Sequence, residues 1–245
     1  MEIRICKNPD ELGKSAATYV AEILRGCIAE KGEARIALST GASQFDTIAA
    51  LIKEDVDWSR VEMFHLDEYV GLDERHKASF RKYLKERFIS KVNLKAAHLV
   101  EADPACIPEL TEEIRRSPID VGLIGIGENA HIAFNDPPAD FDTEDAYIVV
   151  NLNDTCKRQQ VGEGWFATVD DVPKQAISMS VRQILSCRHI VSCVPYAVKA
   201  KAVHATMTNK TTNTVPATIL KGHDRFVLYV DKDSAKDILT GDVAL

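Results

Sequence analysis

The 245-residue chain is predicted to be α/β: a three-layer, mostly parallel, doubly wound sheet with helices on both faces. Three observations lead there. Short apolar runs recur along the chain, and several are continuous, as strands buried on both faces of a parallel sheet must be. Between them lie longer segments whose apolar residues repeat three and four positions apart, the spacing of a helix that buries one face. Small, acidic and histidine residues then cluster just after apolar runs, where the loops of such a sheet gather around a ligand.

The first helix reads from end to end. Asn8 can cap it and Pro9 suits its first turn, while Leu12, Ala16, Val20, Ile23, Leu24 and Cys27 make an apolar face that ends near Gly32. Strands are predicted at 35–38, 61–66, 98–100, 121–126, 147–152, 176–179, 189–194 and 226–230, and further helices at 45–53, 80–89, 108–116, 198–207 and 234–239. This alternation is Rossmann-like. No repeat, low-complexity tract or Ser/Gly linker interrupts it, so residues 1–245 are expected to form a single domain.

Composition narrows the class further. With 45% hydrophobic and 27% charged residues the chain is ordinary globular protein. No apolar stretch approaches the roughly 18 residues of a membrane helix, and Met1-Glu2-Ile3-Arg4-Ile5-Cys6 has neither the apolar core nor the cleavage site of a signal peptide. A soluble, cytoplasmic protein without membrane contact is therefore expected. The six cysteines are scattered, with no CxxC pair and no histidine cluster, which argues against a disulfide framework and against a zinc site. A formal charge of −7 argues against a broad nucleic-acid surface, so an anionic ligand requires a local cluster of positive groups. Whether the chain forms a homo-oligomer is left open.

Four loops carry the chemistry. Ser39-Thr40-Gly41-Ala42-Ser43 leaves a strand and enters a helix, so its small residues and unpaired amides suit a phosphate, although it is neither a Walker loop nor GxGxxG. A plain capped turn is the alternative. Phe64-His65-Leu66-Asp67-Glu68-Tyr69-Val70-Gly71-Leu72 ends a strand with two acids, and a carboxylate there can act as a base only if it is partly desolvated and closely positioned. Adjacent residues point to opposite faces, so Asp67 and Glu68 are not expected to serve the same atom.

The third loop, Gly125-Ile126-Gly127-Glu128-Asn129-Ala130-His131-Ile132-Ala133-Phe134-Asn135-Asp136-Pro137-Pro138, is the densest polar cluster. Its His131 can change charge near neutral pH and so suits a proton shuttle. The fourth, around Val194-Pro195-Tyr196-Ala197-Val198-Lys199, puts Lys199 in the first turn of a helix, where an ammonium opposes the dipole unless an anion is near. Arg158 and Arg182 are further anion ligands to consider. Residues 153–172 combine polar groups, glycines and aromatics, a composition suited to a mobile lid.

Taken in order, these motifs resemble the glucosamine-6-phosphate deaminase/isomerase family, within a wider superfamily that includes 6-phosphogluconolactonases. The likeness continues through Val172-Pro173-Lys174-Gln175-Ala176 to Lys199 and covers most of the chain. It implies a sugar-phosphate substrate, no cofactor and no catalytic metal. By resemblance Asp67 matches the base that moves a proton between C2 and C1, and His131 matches the group that opens the sugar ring. Ser39, Thr40, Gly41, Ala42, Ser43 and Lys199 match the phosphate-binding region.

The chain also departs from the family pattern. Asp136 stands where a glutamate usually assists the histidine, Asn129 where an aspartate is typical, and Ala130 where glycine is usual. Glu128 is then expected to supply part of the missing charge. No arginine aligns with the phosphate-binding one, and Arg158 is the substitute taken here. The acidic stretch 140–145 lacks the basic residues that bind an activator in regulated bacterial members, so no such regulation is expected. The resemblance implies a deaminase/isomerase-like hydrolase acting on glucosamine or galactosamine 6-phosphate. The alternatives are a 6-phosphogluconolactonase-type hydrolase and a non-catalytic sugar-phosphate-binding protein.

Overall fold

The computed structural model describes residues 1–239. Its strands are β1 (Glu2–Cys6), β2 (Ala34–Leu38), β3 (Val61–His65), β4 (Asp67–Tyr69), β5 (Ala96–His98), β6 (Val121–Leu123), β7 (Tyr147–Asn151), β8 (Gln175–Met179), β9 (His189–Val194) and β10 (Phe226–Asp231). Its α-helices are α1 (Pro9–Lys31), α2 (Phe45–Leu51), α3 (Phe80–Arg87), α4 (Ile107–Arg115), α5 (Asp154–Gly162), α6 (Val181–Leu185), α7 (Ala200–Thr208) and α8 (Lys236–Leu239). Seven strands form a parallel sheet in the order β1-β10-β9-β6-β2-β3-β5, and the other three form an antiparallel sheet, β4-β8-β7.

Alternation along each strand builds the layers. On β2, Ile36 and Leu38 face a core shared with Leu12, Ala16, Val20 and Leu24 of α1, while Ala37 faces the opposite core. On β10, Val227 and Tyr229 join the first core, whereas Phe226, Leu228 and Val230 join the second with Ile114 of α4 and Val203 of α7. Helix α1 begins as expected, with the Asn8 side chain accepting the Glu11 amide at 2.9 Å, and ends at Gly32 with φ 84°.

Several expectations need correction. The segments predicted as strands at 147–152 and 176–179 are strands, but they pair antiparallel in the small sheet. Their connection runs through α5 and returns the chain in the opposite direction, and β7 is open on one side, with Val149 39% exposed. The strand predicted to reach residue 126 stops at Leu123. Beyond it the backbone bonds diverge, Ile124 N–H donating to Val191 O and Gly125 N–H to the Ser39 hydroxyl. The strand predicted at 98–100 runs instead over Ala96–His98, while β1, β4, α5 and α6 were not predicted. Among the described residues, no helix is long and apolar enough to cross a membrane.

Strand order fixes where the site lies. From β2 the chain moves to β3 and β5 on one side, and then through β6 to β9 and β10 on the other, where β10 lies beside the opening strand β1. The crevice beyond the carboxyl ends of β2 and β6 is thus the switch point of the sheet. Gly13 lets α1 approach the start of α2 there, since a Cβ on it would stand 2.7 Å from the Asp46 carbonyl carbon. Helix propensity alone favours alanine by about 1 kcal/mol, but overpacking against backbone costs about 1–3 kcal/mol. Gly13→Ala is therefore expected to destabilise the fold, read as a lower urea midpoint with an unchanged m-value.

Candidate active site

The loops after β2, β3, β6 and β9 meet in one pocket. It is lined by Ser39, Thr40, Gly41, Ala42 and Ser43, by Asp67, by Gly125–Glu128 and His131, and by Tyr196, Val198 and Lys199. The first loop is stitched down from below. Ser39 donates its amide to Leu123 O at 2.9 Å and accepts the Gly125 amide on its hydroxyl at 3.0 Å. Buried Gln44 donates its amide group to Cys193 O at 3.1 Å and to the Ser43 hydroxyl. Among the described residues no backbone hydrogen bond uses the amides of residues 40–43, so the loop offers donors to a ligand.

Asp67 enters the same pocket from β4, where its backbone pairs with Ser178 of β8. Burial, aided by the neighbouring Glu68 charge, pushes its pKa up to about 8. The two acids divide as strand geometry requires. Glu68 is fully buried, accepting from Ser79 Oγ at 2.8 Å and from the Arg81 amide at 2.9 Å, with the Arg81 guanidinium at 3.2 Å. It organises the entry to α3 and does not line the pocket.

His131 lies across Gly127. A Cβ at that glycine would meet its ring at 2.2–2.5 Å, so only glycine fits beneath the imidazole. The Asn129 side chain donates to Asp136 Oδ1 at 2.9 Å, which turns its oxygen toward His131 Nδ1 at 2.6 Å. Nδ1 therefore carries the hydrogen, leaving Nε2 free to exchange a proton. Asp136 Oδ1 also lies 3.2 Å from Nδ1. Burial opposes ionisation of Asp136, yet hydrogen bonds from His131 and Asn129 hold its carboxyl below the usual range. Asn129 orients the ring and Asp136 supplies the charge. Glu128, expected to fill that role, is an exposed rim residue with no hydrogen bond to His131 among the described residues. Ala130 takes φ 65°, the left-handed region that favours glycine.

Lys199 is buried at the far wall, at the end of the 3₁₀ turn Ala197–Lys199. Burial lowers its pKa, against the opposing charges of Glu163 and Glu128. Arg158 is a correction: it is exposed on α5 and borders a shallow neighbouring groove with Glu128 and Asn129, outside the pocket. Arg182 does not line the pocket and is paired with Glu144 at 3.0 Å.

The segment expected to be a lid covers the pocket with Gln159, Gln160, Glu163 and Trp165. It is anchored by Cys156 and Phe166 in a small apolar cluster with Tyr69 and Phe134, and by the Tyr69 hydroxyl donating to Gln160 at 2.7 Å. Trp165 Nε1 and Gln159 Nε2 both donate to the Glu163 carboxylate, at 3.0 and 2.8 Å. Tyr196 and Gln44 also belong to the site, Tyr196 as a lining residue and Gln44 beneath the cradle. No local pattern marks a tyrosine at φ 79° or a glutamine folded under a loop. Among the described residues no group of three or more His, Cys, Asp or Glu is arranged to hold a metal ion.

A parallel sheet with amide donors, a buried lysine and acid–base groups converging at its switch point defines an α/β protein built to act on a small anionic ligand. The sequence comparisons agree. Residues 7–228 match the family described as glucosamine-6-phosphate isomerases/6-phosphogluconolactonase, and the chain belongs to that family. It is 36% identical to a glucosamine-6-phosphate deaminase of Staphylococcus epidermidis over 91% of this chain and 96% of that protein. A glucosamine-6-phosphate deaminase of Streptococcus suis is 31% identical, covering 98% and 100%. Among solved structures, a monomeric glucosamine-6-phosphate deaminase superposes with a TM-score of 0.88 at 26% identity, covering 96% of this chain and 99% of that one. A 6-phosphogluconolactonase from Shewanella baltica gives a TM-score of 0.77 at 17% identity over 94% and 97%, a likeness of fold alone.

Burial of Asp67 has a thermodynamic consequence. Its folded pKa of about 8 lies above the ordinary 3.8, so the stability this group contributes is fully present below pH 3.8 and is lost as pH rises toward 8. Asp67→Asn is expected to raise Tm by an amount that grows between about pH 4 and pH 8 and then levels off. A Tm difference independent of pH would show that the carboxyl is not buried.

Proposed function

We propose that the protein converts an amino-sugar 6-phosphate, glucosamine or galactosamine 6-phosphate, into a ketose 6-phosphate and ammonia. One observation carries the reading: a strongly desolvated carboxyl, Asp67, and a proton-ready imidazole, His131, face one pocket that also holds an amide cradle and Lys199. Two family relatives named glucosamine-6-phosphate deaminase support it.

His131 opens the ring by taking the proton of the C1 hydroxyl on Nε2 and passing it to the ring oxygen as the C1–O bond breaks, with Asn129 and Asp136 holding the imidazole in place. The Asp67 carboxylate takes the proton from C2 and returns one to C1, water enters at C2, and the amine leaves as ammonia. A neutral Asp67 is no base, but the substrate's own ammonium beside it favours the carboxylate. Residues 39–43 and Lys199 hold the phosphate, and residues 153–172 act as a lid over one domain. On this reading the chain is a cytoplasmic enzyme of amino-sugar metabolism needing no cofactor, and the step that frees ammonia is the hydrolytic one. Arg158 stands in the adjoining groove and is given no role in this reading.

Ammonia release from a panel of amino-sugar 6-phosphates tests the proposal, and consumption of 6-phosphogluconolactone without ammonia would replace it with the lactonase alternative. Positioned acid–base groups contribute about 10²–10⁴-fold, so Asp67→Asn is expected to cut kcat by that order while phosphate binding persists. In the wild type, kcat/KM should rise with pH through an apparent pKa near 8, the value of the free-enzyme carboxyl. An equal loss of phosphate binding, or a flat profile, contradicts the role given to Asp67.

A further inference from the structure

Tyr196 stands in a backbone conformation that favours glycine, φ 79° and ψ 144°. Its surroundings fix it there. Its amide donates to Asp231 Oδ2 at 3.0 Å, a carboxylate buried at the end of β10, and its carbonyl accepts the Lys199 amide at 3.0 Å. Tyr196 lines the pocket together with the cradle. Its hydroxyl meets Asp46 Oδ2, a residue outside the pocket lining, at 3.3 Å, longer than the usual 2.5–3.0 Å of an O–H···O bond, so its proton is weakly engaged. Lys199 is the one lysine or arginine lining this pocket among the described residues, and Glu128 and Glu163 also border it. A dianion there needs further donors.

We propose that Tyr196 is a binding residue of the phosphate subsite, its hydroxyl turning from Asp46 to a phosphate oxygen in the pocket it lines with the cradle and Lys199. The proposal rests on the reading of this pocket as a phosphate site and adds a ligand to it. A hydroxyl donating to a phosphate oxygen forms a short, charge-assisted bond, stronger than the long contact it leaves. The turn placing Lys199 does not itself require a tyrosine, because glycine adopts the same backbone angles freely. The strained side chain is therefore explained by what it touches.

The full-length protein, Tyr196→Phe and Tyr196→Gly are titrated with inorganic phosphate by calorimetry, and their Tm values are measured alongside. Tyr196→Phe is expected to weaken phosphate binding about tenfold, the scale of one hydrogen bond to a charged group, with Tm unchanged. Tyr196→Gly is expected to weaken it at least as much while raising Tm. Wild-type affinity in Tyr196→Phe overturns the hydroxyl's role, even where Tyr196→Gly binds poorly. No phosphate binding by the wild type overturns the subsite altogether. Absence of ammonia release from the wild type, with the variant effects intact, overturns the deaminase reading and leaves Tyr196 as a phosphate ligand.

Discussion

Two hydrogen bonds between the ends of β2 and β6 set the geometry on which everything else depends. Ser39 reaches Leu123 with its amide and Gly125 with its hydroxyl, so the strand ends that part company at the switch point remain fastened for one more residue. Gln44 extends the fastening to the end of β9. Three loops that diverge in sequence are thereby held as one floor, on which a small ligand can find donors from each.

Charge is divided between the two ends of the sheet. At the amino ends of β2 and β3, Arg35 is 1% exposed, paired with Glu62 at 3.2 Å and stacked over Phe64 at 4.4 Å. Its guanidinium also reaches the backbone carbonyls of Glu113, Ile114 and Ser117, so this buried cation is fully partnered. At the carboxyl ends the opposite holds. Asp67 has no side-chain hydrogen bond and Lys199 no ion pair among the described residues, although both are buried. Unpartnered ionisable groups at one end of the sheet and a saturated ion pair at the other are what separate a site from a scaffold.

Much of this was legible in the sequence, and the failures have physical causes. Helix α1 was readable because its cap, its apolar stripe and its terminal glycine are all local. The loops were placed correctly because continuous apolar runs mark buried strands. Sheet membership was not legible, since Tyr-Ile-Val-Val reads alike in either sheet and pairing is decided by distant segments. β1 was missed because Glu2 and Arg4 interrupt its apolar residues, leaving no continuous apolar run. Asp67, His131, Lys199 and the cradle came together as expected, whereas Arg158 did not, because its direction depends on the helical phase of α5. Asn129 looked like a loss when considered by itself. Its partnership with Asp136 is visible only once residues seven apart are brought into contact.

One serine on β8 carries more than its place in the chain suggests. Ser178 pairs with Asp67 through the backbone, accepts the Phe134 amide at 3.0 Å, and lies 3.3 Å from the Asn135 side chain, just downstream of His131. The strand it belongs to is also where the chain returns from the cover over the pocket. Asp67 and the loop that carries His131 thus share a common rail. Their spacing is preset by one strand and does not wait on a ligand to assemble it, and a disturbance at that strand would put both out of alignment together.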